Sequence, residues 1–126
     1  MARYFKERGS PLHRDSLAAA WGECVRYLEI ADDRYAARQI EVFDQGRVLR
    51  YDRSHWCDHF GQLFGCLFSH KEKAITGRVE AEIIEEQEFE RAWRAALKSP
   101  LWVQQVEQSL SATRGAVPFW LRAVSD

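Results

Sequence analysis

The chain has 126 residues, of which 46% are hydrophobic and 13% are aromatic. This length accommodates one domain with a hydrophobic core but not two, and the composition excludes an intrinsically disordered chain. The formal net charge of −1 creates no overall field that would draw the protein to nucleic acid or to an anionic membrane. No apolar run approaches the roughly 20 residues of a membrane-spanning helix, and the start of the sequence lacks a secretory signal. We therefore expect a cytoplasmic protein without a membrane partner.

Cys24, Cys57 and Cys66 form an odd set without the C-x-x-C spacing of a metal or redox motif. An odd set does not suit a disulfide scaffold and is typical of a reducing compartment, so the sequence predicts free thiols.

Residues 1–23 are predicted to form a basic N-terminal arm followed by a short helix. Asp15 is a candidate N-cap, and Leu17 and Trp21 lie at helical spacing before Gly22, where the helix is predicted to end.

The next segment predicts three strands. Residues 24–30, "CVRYLEI", are rich in strand-forming residues, and residues 34–43 and 47–53 form a hairpin around Gly46, which suits a left-handed turn position. Alternation along the strand 34–43 predicts one face with Ala36, Arg38, Ile40 and Val42, and an opposite face with Tyr35, Gln39, Glu41 and Phe43.

The pattern weakens over residues 54–78, which we interpret as a long loop with one short strand at most. Residues 78–84, "RVEAEII", alternate between apolar residues and glutamates, which predicts a half-buried strand with an acidic outer face. Its inward residues are predicted to be Val79, Ala81 and Ile83.

Two helices are predicted to follow. Residues 86–98 carry an apolar stripe, and Ser99-Pro100 then breaks the run and begins a second helix. The stripe of the first helix consists of Phe89, Ala92, Trp93, Ala96 and Leu97, and that of the second consists of Val103, Val106 and Leu110.

These elements predict an α+β domain in which an antiparallel sheet of four or five strands is packed by helices mainly on one side, with an extra C-terminal helix. Within a single domain over 1–126, we expect the arm and helix at 1–23, the core sheet and helix at 24–98, and a C-terminal helix and tail at 99–126.

The segment "SHWCDHFG" raises the question of a metal or catalytic site, because His55, Cys57, Asp58 and His59 fall within five positions. On a helix the two histidines would share a face, but the glutamate that a zinc protease needs after the first histidine is replaced by Trp56. Structural zinc sites usually draw their ligands from two separated pairs, whereas this cluster is one contiguous run.

A metal-binding protein or a small enzyme built on these four side chains is the alternative hypothesis, with His70 or Cys66 as a further metal ligand. We favour a loop whose polar side chains cap backbone groups beside a buried Trp56, and we assign no catalytic residue, no metal and no cofactor.

Nucleic-acid binding has one supporting feature, since arginines alternate with Tyr35 and Tyr51 on the hairpin and such a sheet can stack bases. Acidic residues of the same hairpin are able to pair with those arginines across strands, so we expect no nucleic-acid partner. The arginines are Arg34, Arg38, Arg47, Arg50 and Arg53, and the acidic residues are Glu41, Asp44 and Asp52.

Residues 27–61, "YLEIADDRYAARQIEVFDQGRVLRYDRSHWCDHFG", and residues 85–93, "EEQEFERAW", resemble a group of small uncharacterised bacterial domains. Members of that group look like stand-alone proteins encoded near toxin genes, which implies an immunity role. The resemblance supplies no catalytic residue, and it leaves out the basic N-terminus and the chain from about residue 99 onward.

The favoured hypothesis is therefore a protein-binding module, most concretely an immunity protein that occludes the active site of a cognate toxin. A toxin that attacks nucleic acids or nucleotides has a basic cleft, which an acidic patch with an aromatic anchor would fit. The residues predicted to bind the partner are Glu80, Glu82, Glu85, Glu86, Trp56, Asp58 and Phe60. Self-association through Phe119, Trp120 and Leu121 of the tail is compatible with this hypothesis.

Overall fold

The computed structural model of the protein describes residues 2–9, 16–65 and 81–107, and in this part of the chain five antiparallel strands form one sheet. The strands are β1 (Arg3–Gly9), β2 (Cys24–Ile30), β3 (Ala36–Phe43), β4 (Val48–Asp52) and β5 (Glu82–Ile83), in the order β4-β3-β2-β1-β5. The helices are α1 (Glu86–Ala96) and α2 (Leu101–Glu107), with short 3-10 helices at Leu17–Trp21 and Asp44–Gly46. The predicted α+β fold with a C-terminal helix is confirmed, and none of the described helices is long and apolar enough to cross a membrane.

The basic N-terminus is a strand of the sheet, where the sequence had indicated an arm. β1 pairs with β2 on one side and with β5 on the other. Its alternation was hidden because one of the inward positions is occupied by a charged residue, Glu7, which is buried together with Phe5 and Gly9. The predicted N-terminal helix is reduced to five residues that follow Ser16, and its expected cap at Asp15 lies outside the described residues.

The predicted hairpin is confirmed in β3 and β4, but one residue lies on the opposite face from the one expected. Glu29 pairs with Arg38 and Ile30 pairs with Ala36, so one extra residue, Ala37, interrupts the ladder between β2 and β3. Such a bulge reverses the alternation beyond it. Ala36 therefore packs in the same apolar cluster as Phe43, away from Ile40.

The two faces of the sheet are covered differently. One face, here called the loop face, carries Phe5 and Leu28 and is covered by the 3-10 helix 17–21 and by residues 54–65. The other, here called the helix face, carries Ile40 and lies under α1, whose Phe89 and Ala96 are fully buried. The predicted stripe of α1 is confirmed except at its end, where Leu97 is 48% exposed.

Arg38 on β3 fastens α1 to the helix face. Its guanidinium donates to both carboxylate oxygens of Glu29 on β2, at 2.7 and 2.8 Å, and also pairs with Glu90 on α1. The same group lies 4.9 Å from the ring centroid of Phe89 and 5.1 Å from that of Trp93. Cation–π attraction and bidentate pairing thus act together at one contact between sheet and helix.

The second helix, α2, covers the outer edge of β4 and not a sheet face. Ser99 Oγ donates to Val48 O at 2.7 Å, while the Gln105 amide donates to Arg50 O at 2.9 Å and accepts from Arg50 N at 3.4 Å. A strand edge offers unpaired N–H and C=O groups, so the side of the helix that meets it must be polar.

The prediction that the apolar stripe of α2 faces the protein interior was therefore wrong. Val103 is 63% exposed and Val106 is 50% exposed, whereas Gln105 is fully buried. The third residue of that stripe, Leu110, lies outside the described residues.

The Arg38–Glu29 contact predicts an acid-sensitive contribution to stability. Hydrogen bonds from Arg38 lower the pKa of the Glu29 carboxyl. A carboxyl with a lowered pKa in the folded state stabilises fully above its unfolded pKa, which is about 4.3, and this stabilisation is lost as the pH falls through the folded value. We expect Glu29→Gln to lower the urea unfolding midpoint at pH 7, and the difference from wild type to shrink steadily below about pH 4.

Glu107→Gln is the matched control, because Glu107 is exposed and has no ion pair among the described residues. It should follow wild type at every pH. A deficit of Glu29→Gln that is the same at pH 7 and pH 3 would contradict the assignment.

Candidate functional site

The segment 54–65 leaves the end of β4 and folds into a tight hairpin that is neither a helix nor part of the main sheet. Asp52 begins it, since its side chain accepts from Ser54 N at 2.9 Å and from His55 N at 2.8 Å. A bridge between Cys57 and Gln62 closes it. The segment therefore does not place the two histidines on one helical face: His55 is buried and His59 is exposed.

Asp58 is the centre of a buried polar network on the loop face, with no exposure to solvent. Its Oδ1 accepts from Tyr51 OH at 2.8 Å, from Phe60 N at 2.8 Å and from Gly61 N at 3.1 Å. Its Oδ2 accepts from Gln105 Nε2 at 3.0 Å and lies 2.8 Å from His55 Nε2. This single carboxylate thereby joins β4, the 54–65 segment and α2.

Burial and the contact with Asp58 also determine the protonation state of the Tyr51 hydroxyl. Burial, followed by the nearby Asp58 carboxylate, raises the pKa of the Tyr51 hydroxyl well above its usual value of 10.0. Tyr51 therefore stays protonated and acts as a donor. A Cβ on Gly61 would lie 3.2 Å from the Tyr51 hydroxyl, a tight contact, so a larger side chain here would press on the Tyr51–Asp58 hydrogen bond.

The four side chains of the His/Cys segment do not converge on one point. His55 is engaged by Asp58, Cys57 is fully buried and His59 faces solvent. In residues 2–9, 16–65 and 81–107, no group of three or more His, Cys, Asp or Glu side chains could hold a metal ion. The two further ligand candidates, Cys66 and His70, lie outside the described residues.

The expected aromatic anchor for a partner is part of the core. Trp56 is 3% exposed and Phe60 is 5% exposed, and both pack in the cluster on the loop face. Together with the burial of Asp58, this corrects the expectation that these three side chains form a surface contact. They face inward because the hairpin folds back over the sheet.

A second buried polar cluster crosses the three central strands. Arg26 on β2 is fully buried and stands opposite Glu7 on β1 and Glu41 on β3. Its guanidinium donates to Glu7 Oε1 at 2.7 Å and, from Nε and Nη2, to Glu41 Oε2 at 3.0 and 2.8 Å. Burial alone would lower the pKa of Arg26, but attraction to these carboxylates outweighs it and raises the pKa, so the cation is retained.

The thiol of Cys24 adjoins this cluster, with Sγ 3.9 Å from Glu41 Oε2. Burial, together with the charge of Glu41, raises the pKa of Cys24 to about 12. A thiol that remains protonated at neutral pH is a poor nucleophile, so the cluster is arranged for structure and not for covalent chemistry.

The acidic stretch lies at the opposite edge of the sheet, in β5 and the start of α1. Glu82, Glu85 and Glu86 are all exposed, and Glu86 Oε2 accepts from Tyr4 OH at 3.0 Å. Ile83, predicted to face inward, is 67% exposed because β5 is the edge strand. The three glutamates together with Ile83 are called the acidic edge below. Glu80 and Val79 lie outside the described residues.

Comparison with known protein families matches residues 23–98 to a family described as a domain of unknown function, DUF6881. The chain belongs to this family. No curated protein and no solved structure matches it. The family match begins just before β2 and ends just after α1, so it includes the hairpin, the Asp58 segment and the acidic edge, while β1 and α2 lie outside it.

Sequence reasoning missed the four polar side chains that organise the interior. These are Glu7, Arg26, Gln39 and Gln105, all of them buried. The Gln39 amide donates to Gln62 O at 2.9 Å and accepts from Phe64 N at 2.8 Å, which fastens the loop as Gln105 fastens α2. A signal was available for Arg26, which occupies an inward position of the predicted strand 24–30. No local pattern distinguishes the buried Gln105 from its neighbour Gln104.

This neighbouring pair allows a controlled test of the network. Gln105→Leu removes the donor to Asp58 and both bonds to Arg50, leaving buried polar groups unpaired, and we expect a loss of about 2–3 kcal/mol in the free energy of unfolding. Gln104→Leu makes the same chemical change on an exposed site and should leave stability within about 0.5 kcal/mol of wild type. Urea unfolding measures both, and equal losses in the two variants would contradict the role given to Gln105.

Proposed function

We propose that the protein is a cytoplasmic protein-binding module, and most concretely a bacterial immunity protein that neutralises a cognate toxin by covering its active site. The observation that carries the proposal is the acidic edge, where Ile83 is 67% exposed beside three exposed carboxylates. An apolar side chain at the surface beside several carboxylates suits a partner that presents a basic surface.

The partner expected from this chemistry is a protein with a basic cleft. Carboxylates at the rim steer the approach of such a surface, and an exposed apolar side chain supplies the desolvated contact at the centre. The neighbouring surface includes a recess lined by Ala2, Arg3, Tyr4, Phe5, Ile83 and Ile84, which is able to receive a partner side chain. With Trp56 and Phe60 buried, Ile83 takes the anchoring role first expected of those aromatic residues.

Charge reversal tests the proposal. The protein and a Glu82→Lys/Glu85→Lys variant are used to capture partners from an extract of the organism that makes the protein, and bound proteins are identified by mass spectrometry. We expect wild type to retain a protein with a basic surface and the variant to lose it, because like charges now face each other. Association with wild type should slow as the salt concentration rises.

Asp44→Lys/Glu107→Lys is the matched control, because it makes the same change in net charge at exposed positions far from β5 in the sheet order. It should retain the partner. The captured protein should arrest growth when expressed alone and be neutralised when co-expressed with wild type. Equal capture by the two variants would contradict the acidic edge as the binding site. A captured partner without toxicity would contradict the immunity role.

A further inference from the structure

The two edges of the sheet differ in whether their outward backbone N–H and C=O groups are hydrogen-bonded. In β4, hydrogen bonds occupy the outward Val48 C=O, the Arg50 N–H and C=O, and the Asp52 N–H and C=O. The donors and acceptors come from Ser99, from Gln105, and from the backbone of His55, which exchanges two bonds of 3.2 Å with Asp52. This edge is closed to an added strand.

The β5 edge is open at Ile83. Ile84 N donates to Tyr4 O at 3.0 Å, and Ile83 stands opposite Phe5. Because hydrogen bonding alternates along an antiparallel strand, the N–H and C=O of Ile83 point away from β1. No hydrogen bond within the described ranges occupies these two groups.

We infer that this edge accepts an extended, cationic segment of the partner as an additional antiparallel strand beside Ile83. The inference rests on the proposed function and specifies its mode of recognition. Natural proteins protect exposed strand edges, and this chain protects β4 by three separate contacts. The open backbone of Ile83 is consistent with an edge that is used for binding, as in other cases of strand addition.

Charge decides what the edge accepts. Two copies of this chain paired along β5 would bring two acidic edges together, so self-pairing is opposed by repulsion between like charges. A strand with lysine or arginine at alternate positions meets the opposite charge. The acidic edge therefore excludes a second copy and selects a basic segment.

The register specifies the pattern of that segment. Glu82 lies opposite Lys6, whose face also carries α1, whereas Ile83 lies opposite Phe5 on the loop face. Side chains directly across neighbouring strands share a face. The incoming strand should therefore alternate basic residues, on the side of Glu82, with apolar residues, on the side of Ile83. The apolar residue opposite Ile83 exchanges both backbone hydrogen bonds with it.

A synthetic peptide with this alternation tests the inference directly. The probe is acetyl-Lys-Val-Lys-Val-Lys-Val-Lys-amide, and its affinity for the full chain is compared with that of two N-methylated forms. Methylation of the three valine nitrogens removes the donors that face Ile83. Methylation of every lysine nitrogen except the first removes three donors on the outer side, so the two forms carry the same number of methyl groups. We expect the valine-methylated peptide to bind about tenfold more weakly than the lysine-methylated one, at equal charge and composition.

Absence of binding by the parent peptide, equal affinities of the two methylated forms, or a greater loss for the lysine-methylated form would each overturn strand addition. The failure of this inference is distinguishable from failure of the proposed function. If the methylated peptides bind equally while the Glu82→Lys/Glu85→Lys variant still loses its captured partner, recognition by strand addition is wrong and the protein-binding role stands.

Discussion

The guanidinium of Arg26 has no access to water. The arrangement of the sheet depends on the protein groups that pair with this buried charge. Carboxylates from both neighbouring strands, Glu7 and Glu41, provide its partners. A one-residue slip of β1 or β3 would turn one of these carboxylates to the opposite face and remove its hydrogen bonds to the buried guanidinium. The triad of Glu7, Arg26 and Glu41 thus holds β1 beside β2. Because β5 pairs with β1, the triad also positions the acidic edge.

The loop face contains buried polar side chains where most cores are apolar, and each of those described next forms hydrogen bonds to other buried groups. Asp58 gathers donors from three parts of the chain, and Gln39 and Gln105 each bond to backbone groups that would otherwise be buried without partners. An amide side chain has both a donor and an acceptor, so it substitutes for a peptide group of a missing neighbouring strand. The closed edge at β4 and the fastened loop at 62–64 follow from the same chemistry.

The family match and the folded unit have different limits. Residues 23–98 contain Arg26 and Glu41, but the second carboxylate of the triad comes from β1, outside the match. They also contain the edge of β4, whose cover comes partly from Gln105 in α2. Within this chain, segments on both sides of the family match therefore complete polar contacts that the matched region begins.

The sequence by itself determined the elements whose signals are local. The hairpin of β3 and β4 follows from alternation around Gly46, and α1 follows from Phe89 and Trp93 at helical spacing. Both were predicted because the residues that define them lie within a few positions of each other.

Only the tertiary structure decided the rest. β1 was missed because its inward residue Glu7 pairs with Arg26, which lies on a different strand. The direction of α2 was missed because a strand edge, not a sheet face, lies beneath it. A single bulge at Ala37 turned Ala36 to the other face. Trp56 and Phe60, which the sequence offered as surface anchors, became core residues, while Ile83 became exposed. In each case a partner distant in sequence determined whether the side chain is buried or exposed, and local periodicity carries no information about that partner.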